Sequence, residues 1–197
     1  VFTGFYLVEY AQKGNKVVEV IRIATDTLAA VPSIVYGLFG MLFFVTFLNF
    51  QYSVLAGVLT SVIMVLPLII RSTEEALLSV NDSLREASFA LGAGKLRTIF
   101  RVILPVSMPG ILSGVILASG RVVGETAALL YTLGSSTNLP DSLFSSGRTL
   151  ALHMYVLSSE GMHVNESYAT GVVLIVFVLM INGLSTILSN RLTKGTK

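Results

Sequence analysis

Arg121 and Glu125 stand four residues apart in the segment 111–133, which carries no other charge. A charge at the centre of a bilayer costs at least about 2.5 to 3.5 kcal/mol on insertion scales, so a pair there needs a reason. On a continuous helix this spacing places both on one face, about 6 Å apart along the axis and close enough to interact. Arginine offers five donors in a planar fork and a permanent positive charge, which suits a tetrahedral oxyanion. The glutamate would hold the arginine when no anion is present and help release the anion afterwards. The plainer alternative is a pair that only neutralises itself. Two apolar residues would fill that role without any desolvation cost, which favours a functional pair.

Other chemistries lack their residues. The chain has no cysteine, which removes disulfides, thiolate metal sites and cysteine nucleophiles together. His153 and His163 have no carboxylate at metal-ligand spacing, so no metal site is expected. The run Gly92 to Lys95, GAGK, lacks both the leading spacing and the following Ser or Thr of a phosphate-binding loop. No cofactor is therefore expected on this chain, and any ATP and Mg chemistry belongs to another one.

The elements that must position Arg121 and Glu125 are membrane helices. Of the 197 residues, 53% are hydrophobic and 12% charged, with a mean hydropathy of +0.80. A soluble domain of this length needs more charge to cover its surface. Spanning about 30 Å of hydrocarbon takes about 20 apolar residues in a helix. The segments 28–50, 53–70, 111–133 and 169–188 qualify, and their continuous runs do not alternate as barrel strands do. The expected fold class is an all-α integral membrane protein with four complete spans. Residues 1–10 read as the end of a further, truncated N-terminal span and not as a signal peptide.

Basic residues sort by side. Lys13, Lys16 and Arg22 precede the first complete span. Arg71, Arg85, Lys95, Arg97 and Arg101 lie between the second and third, and Arg191, Lys194 and Lys197 close the chain. Four alternating spans put these three regions on one face, which the positive-inside rule makes the cytoplasm. The opposite face keeps Arg148 with Asp141, Glu160 and Glu166. A multi-pass protein with the 71–104 loop and the C-terminus in the cytoplasm is the expected arrangement.

Smaller features leave alternatives open. Val17, Val20, Ile21, Ala24 and Leu28 recur at helical spacing, which fits an interfacial helix or a short linker. The apolar stretch 149–157 is too short to span and is either a surface helix or a loop. Gly110 with Gly114, and Gly120 with Gly124, form two GxxxG pairs that suit helix packing within the subunit. Asn182 suits a packing hydrogen bond.

The loop 81–105 reads NDSLREASFALGAGKLRTIFRVILP. Ser83 and Glu86 have capping-box spacing, which predicts a helix start, with Leu84, Ala87, Ser88 and Leu91 along one face and Gly92 or Gly94 at its end. An amphipathic helix in water either packs under its own bundle or meets a partner.

Glu86, Ala87, Ser88, Gly92, Val102, Leu104 and Pro105 resemble the signature of ABC importer permeases: Glu-Ala-Ala, three residues, Gly, nine residues, Ile, one residue, Leu-Pro. Serine replaces the second alanine and valine the isoleucine. The runs VPSIVYGLFG at 31–40 and GRVVGETAALLYTLG at 120–134 resemble permeases of the phosphate-specific transport system. GETA followed by LLYT is nearer to the A-type subunit than to the C-type, although Ala128 stands where that subunit is expected to have proline. The similarity runs from about residue 6 to the C-terminus.

The resemblance implies a multi-span helical bundle of the type I importer kind. Residues 1–197 would form a single permease domain lacking its first one or two helices, in a bacterial inner membrane. It implies a coupling loop at 81–105 that meets an ATPase through Glu86, Ala87, Ser88, Leu91 and Gly92. Arg121 would be the transport-critical arginine and Glu125 its acidic neighbour. Expected partners are a second related permease, two ATPase subunits, an extracytoplasmic phosphate-binding protein and membrane lipid, with no nucleic acid. The competing classes are a permease for another oxyanion, a secondary transporter or channel using Arg121 and Glu125 as an ion relay, and an assembly or signalling subunit. The last needs neither intramembrane charge, and the relay does not explain the signature loop.

Overall fold

A computed structural model describes residues 1–11, 15–161 and 163–194. Lys13 and Lys197 of the charge pattern lie outside the described residues. The chain is helical, in the order α1 (Phe2–Phe5), running on as a π-helical turn Tyr6–Tyr10, then α2 (Lys16–Ala30) and α3 (Ser33–Gly40), continued by a π-helical stretch Met41–Phe47. There follow α4 (Val54–Leu78), α5 (Asp82–Ala90), α6 (Lys95–Thr98) with a π-helical turn Ile99–Ile103, α7 (Leu104–Val123), α8 (Ala127–Leu130), α9 (Leu150–Glu160) and α10 (Val164–Lys194).

Among the described residues three helices are long and apolar enough to cross a membrane, Val54–Leu78, Lys95–Val123 and Val164–Ile187. A fourth is counted if the broken pair Lys16–Ala30 and Ser33–Phe47 is one span. Span boundaries differ from those read in the sequence. The first is interrupted at Val31–Pro32, where Pro32 is extended (φ −59°, ψ 142°) and opens α3. Residues 28–30 therefore belong to α2. The second continues past residue 70 to Leu78, because Arg71 and Glu74 find partners on α2 instead of ending the helix. The third begins at Lys95, well before residue 111, and stops at Val123 instead of reaching residue 133. A charge does not end a helix whose backbone bonds continue, whereas the break at Gly124–Glu125 does.

The described chain divides into two compact units. One comprises Val1–Leu28, Pro67–Ala118 and Gly183–Lys197. Its core joins Leu77, Val80 and Ile103, with Phe5, Val8 and Val102 packed against them, and Leu7, Val18 and Ile70, with Ala11 and Ile21. Segment 16–28 is indeed helical, but its packed side carries Val18 and Ile21, whereas Val17 and Val20 are exposed. Ion pairs turn it that way: Arg22 meets Glu74 at 2.6 Å and Asp26 meets Arg71 at 3.2 Å. Gly110 and Gly114 lie against Ala76 and Ser72 of α4, so this GxxxG pair does mark close helix packing.

The other unit comprises Ala29–Leu66 and Ser119–Asn182. Leu129, Leu133 and Leu152 form its core with Val54, Leu130 and Val156. The motif at 31–40 acquires a packing reason here. A Cβ on Gly37 would come within 2.8 Å of the Ala128 Cα, and one on Gly40 within 2.7 Å of the Thr132 methyl. Phe39, Phe43 and Phe47 stack in succession along the outer side of α3 and its π-helical extension, with centroids 5.5 and 5.7 Å apart. The stretch 149–157 is a helix: Thr149 caps α9 by accepting from the Leu152 N–H, and Gly161 ends it with φ +70°. Gly120 and Gly124 do not repeat the packing of the first glycine pair. A Cβ on Gly120 would meet no other element within 4 Å among the described residues.

Candidate functional site

The loop 81–105 is built around α5. Its N-cap is Asn81, whose side chain accepts from the Ser83 N–H at 3.0 Å; Ser83 and Glu86 lie inside the helix and do not form the predicted capping box. An Asn side chain reaches the same orphan donors as a Ser, and it lies two residues earlier. At the other end the Ala93 N–H bonds the Ser88 carbonyl and the Gly92 N–H bonds the Phe89 carbonyl. These two bonds form a Schellman stop, and Gly92 supplies its left-handed residue at φ +79°. Gly94, the other predicted stop, opens α6 with extended backbone.

Two polar contacts decide which side of α5 faces inward. Ser88 is buried and shares a 2.8 Å hydrogen bond with the Thr98 hydroxyl at the end of α6. Arg85 donates to Glu9, Asp82 and the carbonyls of Leu77 and Val80. Ser88 therefore belongs to the inner side and not to the predicted face with Leu84, Ala87 and Leu91. Glu86, Ala87, Leu91 and Gly92 are exposed. Leu91 is 89% exposed and Leu84 and Phe89 are also uncovered, so apolar surface lies on the outer side of a helix capped at both ends. The serine that departs from the importer signature is thus a tether between α5 and α6.

Arg121 and Glu125 are not neighbours on one helix. Arg121 occupies the last turn of α7, where a cation complements the carbonyl end of the helix. Glu125 lies beyond Val123, is 8% exposed, and accepts from the Ala128 N–H at 3.1 Å, satisfying a free donor at the start of α8. Among the described residues no ion pair joins the two. Arg121 is half-buried, with Tyr36 within electrostatic reach. The helix break accounts for the difference, since four-residue spacing brings side chains together only where the helix is continuous. A cavity of about 700 Å³ lies beside α8, with Thr126, Tyr131, Tyr155, Ser158, Ser167 and Tyr168 among its lining residues. Among the described residues no cluster of His, Asp and Glu is suited to a metal.

Sequence spacing carried no sign of the Glu9 to Arg85 contact, whose partners are 76 residues apart. The Ser88 departure was a usable sign of the Ser88–Thr98 bond, because a hydroxyl in place of a methyl needs a partner once buried.

Long apolar helices joined by a loop whose helix is capped at both ends define a membrane component. Residues 1–195 match the family described as binding-protein-dependent transport system inner membrane component, and the chain belongs to that family. It is an integral, multi-pass inner-membrane component and not the ATPase. It is 38% identical to the Probable ABC transporter permease protein YqgI of Bacillus subtilis, over 96% of this chain and 71% of that protein. It is 39% identical to the phosphate transport system permease protein PstA 1 of Mycobacterium tuberculosis, over 91% of this chain and 60% of that protein. With PstA of Mycobacterium leprae the identity is 45%, over 72% of this chain and 46% of that protein. The chain thus spans from under half to about seven tenths of these relatives. A chain of the inward-facing MetNI methionine ABC transporter shares the fold, with a TM-score of 0.73 at 19% identity over 98% of this chain and 88% of that one. A secondary transporter or channel does not fit this family.

Proposed function

We propose that the chain is one permease half of an ATP-driven phosphate importer, with residues 1–197 acting as one permease domain. The observation that carries this reading is α5: a helix tethered on its inner side, stopped at Gly92, and exposing Leu84, Phe89 and Leu91 to a partner. An ATPase subunit is that partner, and Glu86, Ala87, Leu91 and Gly92 are its contacts. Ser88 serves the same loop from the buried side. The 71–104 loop and the C-terminus face the cytoplasm, in keeping with the charge distribution. A second related permease, two ATPase subunits and an extracytoplasmic phosphate-binding protein complete the assembly.

Phosphate as the substrate is supported by the relatives named as phosphate permeases. Arg121 contacts the anion, a role suited to a cation that forms no ion pair among the described residues. Glu125 serves the pathway by holding the break after α7. Its bond to the Ala128 N–H holds the start of α8, just past the end of the Arg121 helix. The test is uptake of radiolabelled phosphate by the complete complex in proteoliposomes, with sulfate as competitor. ATP-dependent phosphate uptake that excess sulfate leaves unchanged is the expected result. Uptake of sulfate without phosphate would replace this reading with that of another oxyanion permease.

A further inference from the structure

We propose that Arg85, held by Glu9, is a positioning residue that locks the docking helix to the end of α4, so that movement imposed on α5 is passed to a spanning helix. The inference rests on the docking reading of α5 and goes beyond it to the means of transmission. Every nitrogen of the guanidinium is engaged. Nε and Nη2 donate to Glu9 Oε1 at 3.1 and 2.8 Å. Nη2 also donates to the Leu77 carbonyl at 3.1 Å, and Nη1 donates to the Val80 carbonyl at 3.0 Å and to Asp82 at 2.8 Å. One side chain therefore ties three segments together: the N-terminal turn, the last turn of α4 and its own helix.

Burial separates this pair from ordinary surface ion pairs. The Arg85 and Glu9 side chains are 15% and 10% exposed, against 52% and 61% for Arg71 and Asp26. Apolar residues would stabilise such a site as well or better, but they lack direction. A planar fork with fixed acceptors sets an orientation. The Leu77 carbonyl, in the last turn of α4, accepts from the Val80 N–H and also from Arg85, so Arg85 adds a second, side-chain donor to that helix end from the next helix. The N-terminal turn grips the loop a second time, since Lys95 Nζ of α6 lies 4.6 Å from the centre of the Tyr10 ring. Below these polar contacts Phe5 and Val8 pack on Leu77, Val80 and Ile103. The docking loop is thus held at both α5 and α6 by the turn that contains Glu9 and Tyr10.

The test uses the full-length permease in its complex with the paired subunit and ATPase, reconstituted with the binding protein and supplied with inorganic phosphate. Three quantities are read: ATPase captured per permease, hydrolysis rate, and phosphate moved per ATP. Glu9→Gln keeps the shape and an acceptor while removing the charge, and Arg85→Lys keeps the charge while losing the fork. Both are expected to retain ATPase capture and hydrolysis while phosphate moved per ATP falls by roughly tenfold, the scale on which loss of a charged partner shifts a local equilibrium. A lower yield of complex with an unchanged ratio would reduce the pair to a stabilising contact and overturn the proposal. Loss of ATPase capture by Glu9→Gln would also overturn it, since the pair would then be serving docking itself. Leu91→Arg in the same complex separates the underlying reading. Lost capture supports docking through α5, whereas retained capture removes that reading and this inference with it.

Discussion

Gly92 offers a way to separate the two reasons for a glycine at the end of the proposed docking helix, a left-handed backbone and room for a partner. Its φ of +79° lies where L side chains are strained, and a Cβ there would meet nothing beyond its chain neighbours within 4 Å among the described residues. Any cost of Gly92→Ala within the subunit is therefore conformational, about 1 to 2 kcal/mol for a non-glycine residue in this region. That corresponds to roughly a five- to thirtyfold loss of the docking-competent end of α5. Asparagine tolerates the left-handed region better than alanine although it is larger. If the Schellman stop is the reason for glycine, ATPase capture by the detergent-solubilised permease should fall in the order Gly, Asn, Ala. Gly92→Asp should be tolerated between Asn and Ala as far as backbone is concerned. Capture that follows side-chain size, with Ala nearest to wild type, would refute the backbone explanation and place the ATPase against the Gly92 backbone.

Ser88→Ala leaves the Thr98 hydroxyl, 2% exposed, without the Ser88 hydroxyl it bonds, at a cost of about 1 to 3 kcal/mol. Thermal unfolding in detergent should fall for the single variant and recover in Ser88→Ala with Thr98→Val, where both polar groups are gone. At Arg121 uptake should decline from wild type through Lys to Gln, because Lys retains charge without the planar fork. Near-normal uptake by an assembled Arg121→Gln complex would remove the anion-contact role. Glu125→Gln keeps an acceptor for the Ala128 N–H whereas Glu125→Ala does not, so Ala should lower thermal stability by the greater amount, about 1 to 3 kcal/mol. Gly37→Val has no room beside the Ala128 backbone and should sharply reduce the folded yield seen by size-exclusion chromatography.

Membrane class, the helical nature of the chain and the presence of a helix in the 81–105 loop were legible in the sequence because each depends on local information. Twenty apolar residues in succession select a bilayer whatever surrounds them. Gly92 marks a helix stop through its own freedom at positive φ, so its role did not depend on distant residues. Tertiary structure decided what depends on partners. Asn81 instead of Ser83 caps α5 because the geometry of the chain entering the helix selects the acceptor, and Ser88 turned inward because Thr98 waits there. Arg121 and Glu125 share a spacing that promised a pair, yet Gly124 and Thr126 flank a break that carries the glutamate off to the start of α8. Glu9 and Arg85 meet across 76 residues, a contact set by how the N-terminal turn packs on Leu77 and Val80. Local propensity and hydrophobic period thus specify which segments are helices. Long-range packing and the need to satisfy buried charge decide which way each helix turns and where it ends.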